Sequence, residues 1–565
     1  MTRPADARTP RVVPRWDDPS GIKADVRSLI EQGVFTAETL YEVLQRQVAE
    51  RGNVEAVLDA RTSLTFSELD ERIRLTAGRL SSVGLGKGDD VLLQMPNHAE
   101  YLAVLFACLC LGIRPVLLLM QHRDQELLHV GRLIGVKAIV TTGTHLGFDH
   151  EEMALRVSRE LDGSPVVLVE GTAAHPGAVG LDEIEARPAS PDPSVRPWDT
   201  ALYLLSGGTT AVPKIIPKVH AAYSCVALAS ARRCEIGPDD TCLVVLSASH
   251  DFPLSSPGIL GTLFTGGRVI LSATASFDEV SGWLEGEEVT FTQAVPAVVS
   301  QWLREAQGAP ERQRADWHIG KLILGAAKVG TQLAQRLVET FGARIVQGYG
   351  LGEGITCLTR PGDPDEIAWN TQGTPVLDSD ELRIVGPDGT QLPAGEIGEV
   401  IERGPYTFYG YHAAPHLNER AFNDQGFFHT GDAGFVGADG QLVITGRIRE
   451  QINRAGENVI PSEVEELLSR HPGIGEVAVI GMPDPALGEA TWAVVTLTGA
   501  AQGLDRAGLA GFLRELGVAS YKWPDHLVVR ETMPHKNIGK IDKNMLRDEL
   551  AKAVRGDLGG RADNE

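Results

Sequence analysis

Across residues 36–51 apolar side chains recur at Leu40, Val43, Leu44 and Val48, a spacing that predicts one buried face of a helix. Further helical stretches then alternate with short β-rich runs at 91–95, 115–119 and 138–142. The alternation resumes after Thr200, where 242–246, 268–271, 321–324 and 344–347 read as buried strands with glycine-rich turns. Such a pattern predicts an α/β fold, a large N-terminal domain of sheets covered by helices. Proline, serine and aspartate crowd 188–197, which predicts an exposed connector.

Near 434–445 the pattern changes to a hairpin, and beyond it a smaller α+β unit is expected. Residues 462–470 read as a helix, with Ser462 as N-cap and Glu465 completing a capping box. Strands follow at 477–481, 493–497 and 525–529, with a helix at 508–516. A chain of 565 residues exceeds what one core supports, so two domains are expected, 1–449 and 450–565, meeting at Glu450.

Charge and cysteine usage narrow the function. A formal charge of −23 disfavours nucleic acid, whose phosphates call for a basic face. The apolar runs 101–112 and 115–120 are separated by Arg114 and too short to span a bilayer, so no membrane partner is expected. The first residues show no signal-peptide pattern, which makes the cytoplasm the expected compartment. The cysteines at 108, 110, 225, 234, 242 and 357 form no CxxC pair, and the histidines no HExxH spacing. Neither disulfides nor a tightly held transition metal are predicted; Cys108 and Cys110 fit buried packing.

The densest chemical signal is 206–214, Ser-Gly-Gly-Thr-Thr-Ala-Val-Pro-Lys, directly after a strand-like run. Ser206, Gly207, Gly208, Thr209, Thr210 and Lys214 offer backbone N–H groups, hydroxyls and one ammonium that suit a phosphate chain. The spacing is not that of the Gly-x4-Gly-Lys-Ser/Thr loop. Further motifs follow in order: Ser-His-Asp-Phe-Pro-Leu at 249–254, Gly-Tyr-Gly-Leu-Gly-Glu at 348–353, His-Thr-Gly-Asp at 429–432, Gly-Arg at 446–447 and Asn-Ile-Gly-Lys at 537–540.

This ordered set resembles the adenylate-forming superfamily of acyl-CoA synthetases, nonribosomal adenylation domains and luciferases, over residues 36–550. His250, the stretch 454–458 (Arg-Ala-Gly-Glu-Asn) and the stretch 521–525 (Tyr-Lys-Trp-Pro-Asp) look most like stand-alone aryl acid adenylating enzymes. The resemblance implies that an aryl carboxylate attacks ATP, giving an acyl-adenylate and pyrophosphate, and that a thiol then displaces AMP. It implies Lys540, His250 and Glu353 as catalytic residues, Glu353 as the Mg²⁺ ligand and Glu450 as the hinge of a mobile C-terminal domain. Gly325, Ala326, Gly348, Tyr349, Asp432 and Arg447 would hold the nucleotide, with Thr209, Thr210 and Lys214 on the pyrophosphate portion. Glu450 stands where the family commonly carries aspartate or lysine, and Asn458 where many relatives place lysine. No Gly-Gly-x-Ser stretch marks a carrier module, so the expected thiol belongs to a separate carrier protein or to coenzyme A. The oligomeric state is left open.

By the same resemblance His250, Asp251, Phe252, Ser256, Gly325, Gly350 and Leu351 line the acid pocket. Asp251 departs from the asparagine usual in aryl acid enzymes and matches the aspartate that pairs with an amine in amino-acid-activating relatives. A carboxylate accepts and does not donate, so it welcomes an N–H. The expected substrate is an ortho-amino aryl acid, anthranilate or 3-hydroxyanthranilate, with Ser256 facing a 3-hydroxyl. Gly348, smaller than the residue expected there, suggests room for a further ring substituent. The alternatives are a salicylate or 2,3-dihydroxybenzoate ligase of siderophore assembly, and a non-catalytic binding relative.

Overall fold

The computed structural model describes residues 30–31, 35–206, 213–308, 317–326, 329–450, 452–454, 457–484, 487–498, 504–516, 518, 520–535 and 540–559. The first amphipathic segment is the helix Leu40–Arg51, with Thr39 as N-cap and Glu42 returning a bond to the Thr39 amide, a capping box. The buried runs become strands of two large sheets. One has seven strands and is parallel except where Ile215–Val219 runs against Thr200–Leu205. The other has nine, with Arg268–Leu271, Thr241–Val244, Phe291–Ala294, Lys321–Leu324 and Arg344–Gly350 parallel to one another, and Thr356–Leu358 antiparallel to Arg344–Gly350. Past Glu100 in its first turn, the helix Ala99–Leu111 is apolar on every side and buried, as an element inside the core must be. All six cysteines are buried.

A four-stranded antiparallel sheet follows, Glu381–Val385, Gly398–Arg403, Phe428–Val436 and Leu442–Arg447. The short turn Ile448–Glu450 then leads to a five-stranded sheet centred on Ile474–Asp484 and Gly488–Leu497. Apolar clusters lie on both of its faces, one with Val464, Leu468, Leu509 and Leu513, the other with Ile480, Val494, Leu546 and Leu550. Arg454 forms a two-bonded ion pair with Asp525 (2.9 and 2.7 Å), which joins two of the motifs.

The capping box expected at Ser462 is not formed. The helix is Pro461–Ser469 with Ile460 at its N-cap, because proline at the first position fixes the helical φ and has no N–H to satisfy. Ser462 instead donates to the Thr445 carbonyl, and Glu465 accepts from the Val479 amide (2.6 Å) and pairs with Lys543 (2.7 Å). No helix among the described residues is long and apolar enough to cross a membrane.

Candidate active site

The parallel strands of the nine-stranded sheet deliver their carboxyl ends to one cleft, the usual place for a site in an open α/β sheet. Thr241–Val244 leads to His250, Lys321–Leu324 to Gly325, and Arg344–Gly350 carries Gly348, Tyr349 and Gly350. Ala326, just past Gly325, has φ +65°, uncommon for a residue with a side chain.

At the first corner of the cleft the Tyr349 hydroxyl donates to Asp432 Oδ2 (2.9 Å), and Arg447 Nε lies 3.1 Å from Asp432 Oδ1. Asp432 and Arg447 face each other across the antiparallel pair Phe428–Val436 and Leu442–Arg447. Asp432 is 5% exposed, and its burial raises its carboxyl above the ordinary range, against the pull of Arg447. His429 is engaged elsewhere, with Nδ1 2.9 Å from Glu399 Oε2.

Glu353 is 9% exposed and accepts from the Tyr411 hydroxyl at Oε1 (2.9 Å). Lys214 Nζ stands 4.5 Å from the Tyr411 ring centre, so the lysine of the first motif and the glutamate of the third meet at one aromatic ring. Burial pushes the Glu353 carboxyl up, opposed by Tyr411 and then by Lys214 and Lys218. Ser206 and Lys214 close the neck of the loop between them, Ser206 N donating to Lys214 O (2.9 Å) and Lys214 N to Ser206 Oγ (3.1 Å). Gly207, Gly208, Thr209 and Thr210 lie outside the described residues.

The second corner is the short helix Asp251–Ser255, capped by His250, whose Nδ1 accepts from the Phe252 amide (3.3 Å). Burial holds the His250 imidazole below its ordinary pKa, which suits a ring nitrogen used as an acceptor; Asp251 opposes the shift and Lys540 adds to it. Asp251 Oδ1 accepts from the Tyr223 hydroxyl (2.7 Å) and the Ser255 hydroxyl (3.1 Å). Among the described residues none donates to Oδ2. Phe252 lies against Gly325, where a Cβ would come within 3.0 Å of the ring. Ser256 is buried, with its hydroxyl 3.3 Å from that of Ser255. Leu351 packs at the edge of the main core, and Gly350 sits beside Thr356 across the strand pair.

One expectation fails at Gly348. A Cβ there would stand 2.6 Å from Leu358 Cδ2, so the volume its missing side chain leaves is already filled by Leu358, its neighbour across the strand pair. The absence of a side chain does not open the acid pocket.

Lys540 reaches between the corners. Its ammonium donates to the Ala326 carbonyl and lies within electrostatic reach of Asp432, Arg447, Glu450 and His250. Glu450 in turn is 3.9 Å from Lys543, on the helix that follows Lys540. Lys540, His250, Asp432 and Arg447, which are far apart in sequence, therefore share one cleft.

Several residues of the cleft carry no motif. Asn97 holds the loop before His250 from both sides, its Nδ2 donating to Leu246 O and its Oδ1 accepting from Ala248 N, each at 2.8 Å. Tyr101 donates to the Ala248 carbonyl (3.2 Å), and Ser249 Oγ lies 3.3 Å from its hydroxyl. Gln293 Nε2 donates to the carbonyls of Phe252 and Ser256, both at 2.8 Å. Glu402 is wholly buried, and among the described residues no well-formed hydrogen bond reaches either carboxyl oxygen. It fills the space beside Gly354, where a Cβ would fall 1.2 Å from its Oε1. For Lys218 a signal did exist: it is a lysine inside the apolar strand Ile-Ile-Pro-Lys-Val. Among the described residues no cluster of three or more histidine, cysteine, aspartate or glutamate side chains could hold a metal ion.

Comparison with known proteins gives this cleft a lineage. Residues 44–412 match the AMP-binding enzyme family, and 463–540 match the AMP-binding enzyme C-terminal domain. The chain is 38% identical over 527 residues to triostin synthetase I of Streptomyces triostinicus, covering 93% of this chain and 97% of that protein. It is 38% identical over 530 residues to a salicyl-AMP ligase / salicyl-S-ArCP synthetase of Mycobacterium tuberculosis, covering 92% of each. Among solved structures, apo MbtA of Mycobacterium smegmatis aligns with TM-score 0.71 and 35% identity over 94% of this chain and 98% of that one. A match that takes in both parts of the cleft places this chain in the AMP-binding enzyme family, within the adenylate-forming superfamily.

Proposed function

We propose that the protein activates an ortho-amino aryl acid, of the anthranilate or 3-hydroxyanthranilate type, with ATP, and passes the acyl group to a phosphopantetheine thiol. The observation that carries this reading is Asp251, whose Oδ1 is saturated by two hydroxyl donors while Oδ2 has none among the described residues. An ortho-amino acid has two N–H bonds, one for its own carboxylate and one for Asp251. Salicylate has a single O–H, and once that closes on its own carboxylate it turns lone pairs toward Asp251. A carboxylate facing lone pairs is a repulsive contact in a desolvated pocket. Phe252, set against Gly325, would flank the aromatic ring, and the Ser256 hydroxyl would serve a 3-hydroxyl.

For the nucleotide, Tyr349 would lie on the adenine with Gly325, Ala326 and Gly348, and Asp432 would accept the ribose hydroxyls beside Arg447. Ser206, Lys214 and the loop between them would hold the pyrophosphate portion. Glu353 fits Mg²⁺: a single carboxylate with one oxygen clear of Tyr411, near a phosphate site, is how that hard cation is commonly bound. When bound, the ion would neutralise phosphate charge. Lys540, beside Ala326 and Asp432, would bridge the substrate carboxylate and the α-phosphate as negative charge builds there. Its withdrawal for thiol attack would be a rotation of 450–565 about Glu450. The thiol would be carried by a separate carrier protein or coenzyme A.

The second reading, a salicylate or 2,3-dihydroxybenzoate ligase, is favoured by the relative named for salicylate. ATP–pyrophosphate exchange over anthranilate, 3-hydroxyanthranilate, 4-methyl-3-hydroxyanthranilate, salicylate, 2,3-dihydroxybenzoate and 3-hydroxypicolinate separates the two. Strongest exchange with the amino acids of the set supports the proposal. Strongest exchange with salicylate or dihydroxybenzoate replaces it with the second reading.

A further inference from the structure

Lys218 is the one lysine in the apolar strand Ile215–Val219 and is 4% exposed. A buried ammonium costs several kcal/mol unless charge and hydrogen bonds compensate it. Its Nζ donates to the Gly352 carbonyl (2.9 Å) and stands 5.0 Å from the centre of the Tyr223 ring. Tyr223 is itself fully buried, and its hydroxyl donates to Asp251. A cation over a phenol ring draws electron density from the O–H and strengthens it as a donor. Three carboxyl groups act on Lys218, in the order Asp251, Glu353 and Glu402, while burial pulls its pKa down. Of the three, Asp251 is the one joined to Lys218 through Tyr223, while burial raises the Glu353 carboxyl above the ordinary range and the Glu402 carboxyl well above it. Asp251 is therefore the carboxylate that Lys218 chiefly balances.

We propose that Lys218 is a specificity-determining residue of the acid pocket. It acts through Tyr223 as the internal counter-charge of Asp251, fixing Oδ1 to the protein and leaving Oδ2 for an N–H donor of the substrate. It touches no substrate atom and is a positioning residue. Its bond to the Gly352 carbonyl also ties this corner to the turn that carries Glu353, so one side chain couples the acid pocket to the phosphate side. The inference deepens the ortho-amino reading above and rests on it for the identity of the preferred donor.

The test compares kcat/KM for 3-hydroxyanthranilate and 2,3-dihydroxybenzoate, which differ only in an ortho N–H2 against an ortho O–H. The ratio is measured in the wild type, Lys218→Met, Lys218→Arg and Tyr223→Phe, each checked for folding by thermal unfolding. Lys218→Met is expected to move the ratio at least about tenfold toward the hydroxy acid, Tyr223→Phe severalfold in the same direction, and Lys218→Arg to restore most of it. A ratio unchanged in Tyr223→Phe and in folded Lys218→Met, with both acids slowed equally, makes Lys218 a purely structural residue and overturns the proposal. Should Lys218→Met not fold, Tyr223→Phe decides by the same rule. The wild-type ratio separately judges the substrate reading, whichever way the variants move it.

Discussion

Around Asp432 the partners lie on strands and within short motifs: Arg447 is its cross-strand pair, and Tyr349 comes from the strand Arg344–Gly350 of the nine-stranded sheet. Around Asp251 they are scattered. Tyr223 comes from the helix His220–Arg233, Lys218 from the strand before it, and Asn97 holds the preceding loop from a position 149 residues away. Under the proposed function the Asp432 corner would meet the same molecule in every enzyme that uses ATP, and short motifs carried on strands would suffice for that. The Asp251 corner would recognise something particular, and its geometry is set by long-range contacts that leave no local pattern. Chemistry held in common is written locally, whereas selectivity is distributed over the fold.

The largest effect that would probe this contrast is at Lys540, which lies between the two corners. Lys540→Ala is expected to slow ATP–pyrophosphate exchange about 10²–10³-fold with smaller changes in KM for acid and ATP, the pattern of a group that acts mainly on the transition state. A variant that retained full exchange would remove Lys540 from the adenylation step. At the acid corner alone, Asp251→Asn keeps an oxygen for Tyr223 and Ser255 but turns an N–H2 toward the substrate. It should shift the 3-hydroxyanthranilate to 2,3-dihydroxybenzoate ratio about 10–100-fold toward the hydroxy acid while leaving KM for ATP alone. An equal loss for both acids would show that Asp251 supports the helix and does not read the substrate.

Smaller effects sharpen the comparison. Asn97→Ala removes two backbone clamps on the loop before His250 and should raise KM for the acid about tenfold, with KM for ATP changed far less. Parallel rises in both constants would mean that the corners are not separable. Glu402→Gln addresses the acidic residue buried behind the cleft. Because burial raises the folded-state pKa of Glu402, the folded protein holds a proton that the unfolded chain releases above the ordinary value of 4.5. Stability supported by that proton is complete below this value and falls as pH rises toward the folded pKa, by up to about 1.4 kcal/mol per pH unit. Thermal unfolding of Glu402→Gln should match the wild type in acid and exceed it increasingly as pH rises; a constant offset would argue against a protonated Glu402.

The same division explains what was legible in the sequence. The alternation of helices and buried strands predicts the α/β fold because the period of apolar residues is a local property, and the strands near 91, 138, 268 and 321 fall where expected. The motif residues Tyr349, Asp432, Arg447, Glu353 and Lys540 meet in one cleft, as an ordered set of motifs suggests. Tyr223, Gln293 and Asn97 could not be singled out, since each works through a backbone group or side chain distant in sequence. The room expected at Gly348 was misjudged for the same reason, since it is filled by Leu358 from a neighbouring strand. Ser462 misled locally, because a serine near a helix start resembles a cap even when proline before it has already begun the helix.

If Asp251 selects an N–H donor, one pair of substrates will show it. Wild-type ATP–pyrophosphate exchange with 3-hydroxyanthranilate and with 2,3-dihydroxybenzoate gives two values of kcat/KM for acids that differ at a single ring substituent. 3-Hydroxyanthranilate should be favoured by about tenfold or more, the worth of one hydrogen bond to a charged acceptor. Equal values, or a preference for the dihydroxy acid, would contradict it.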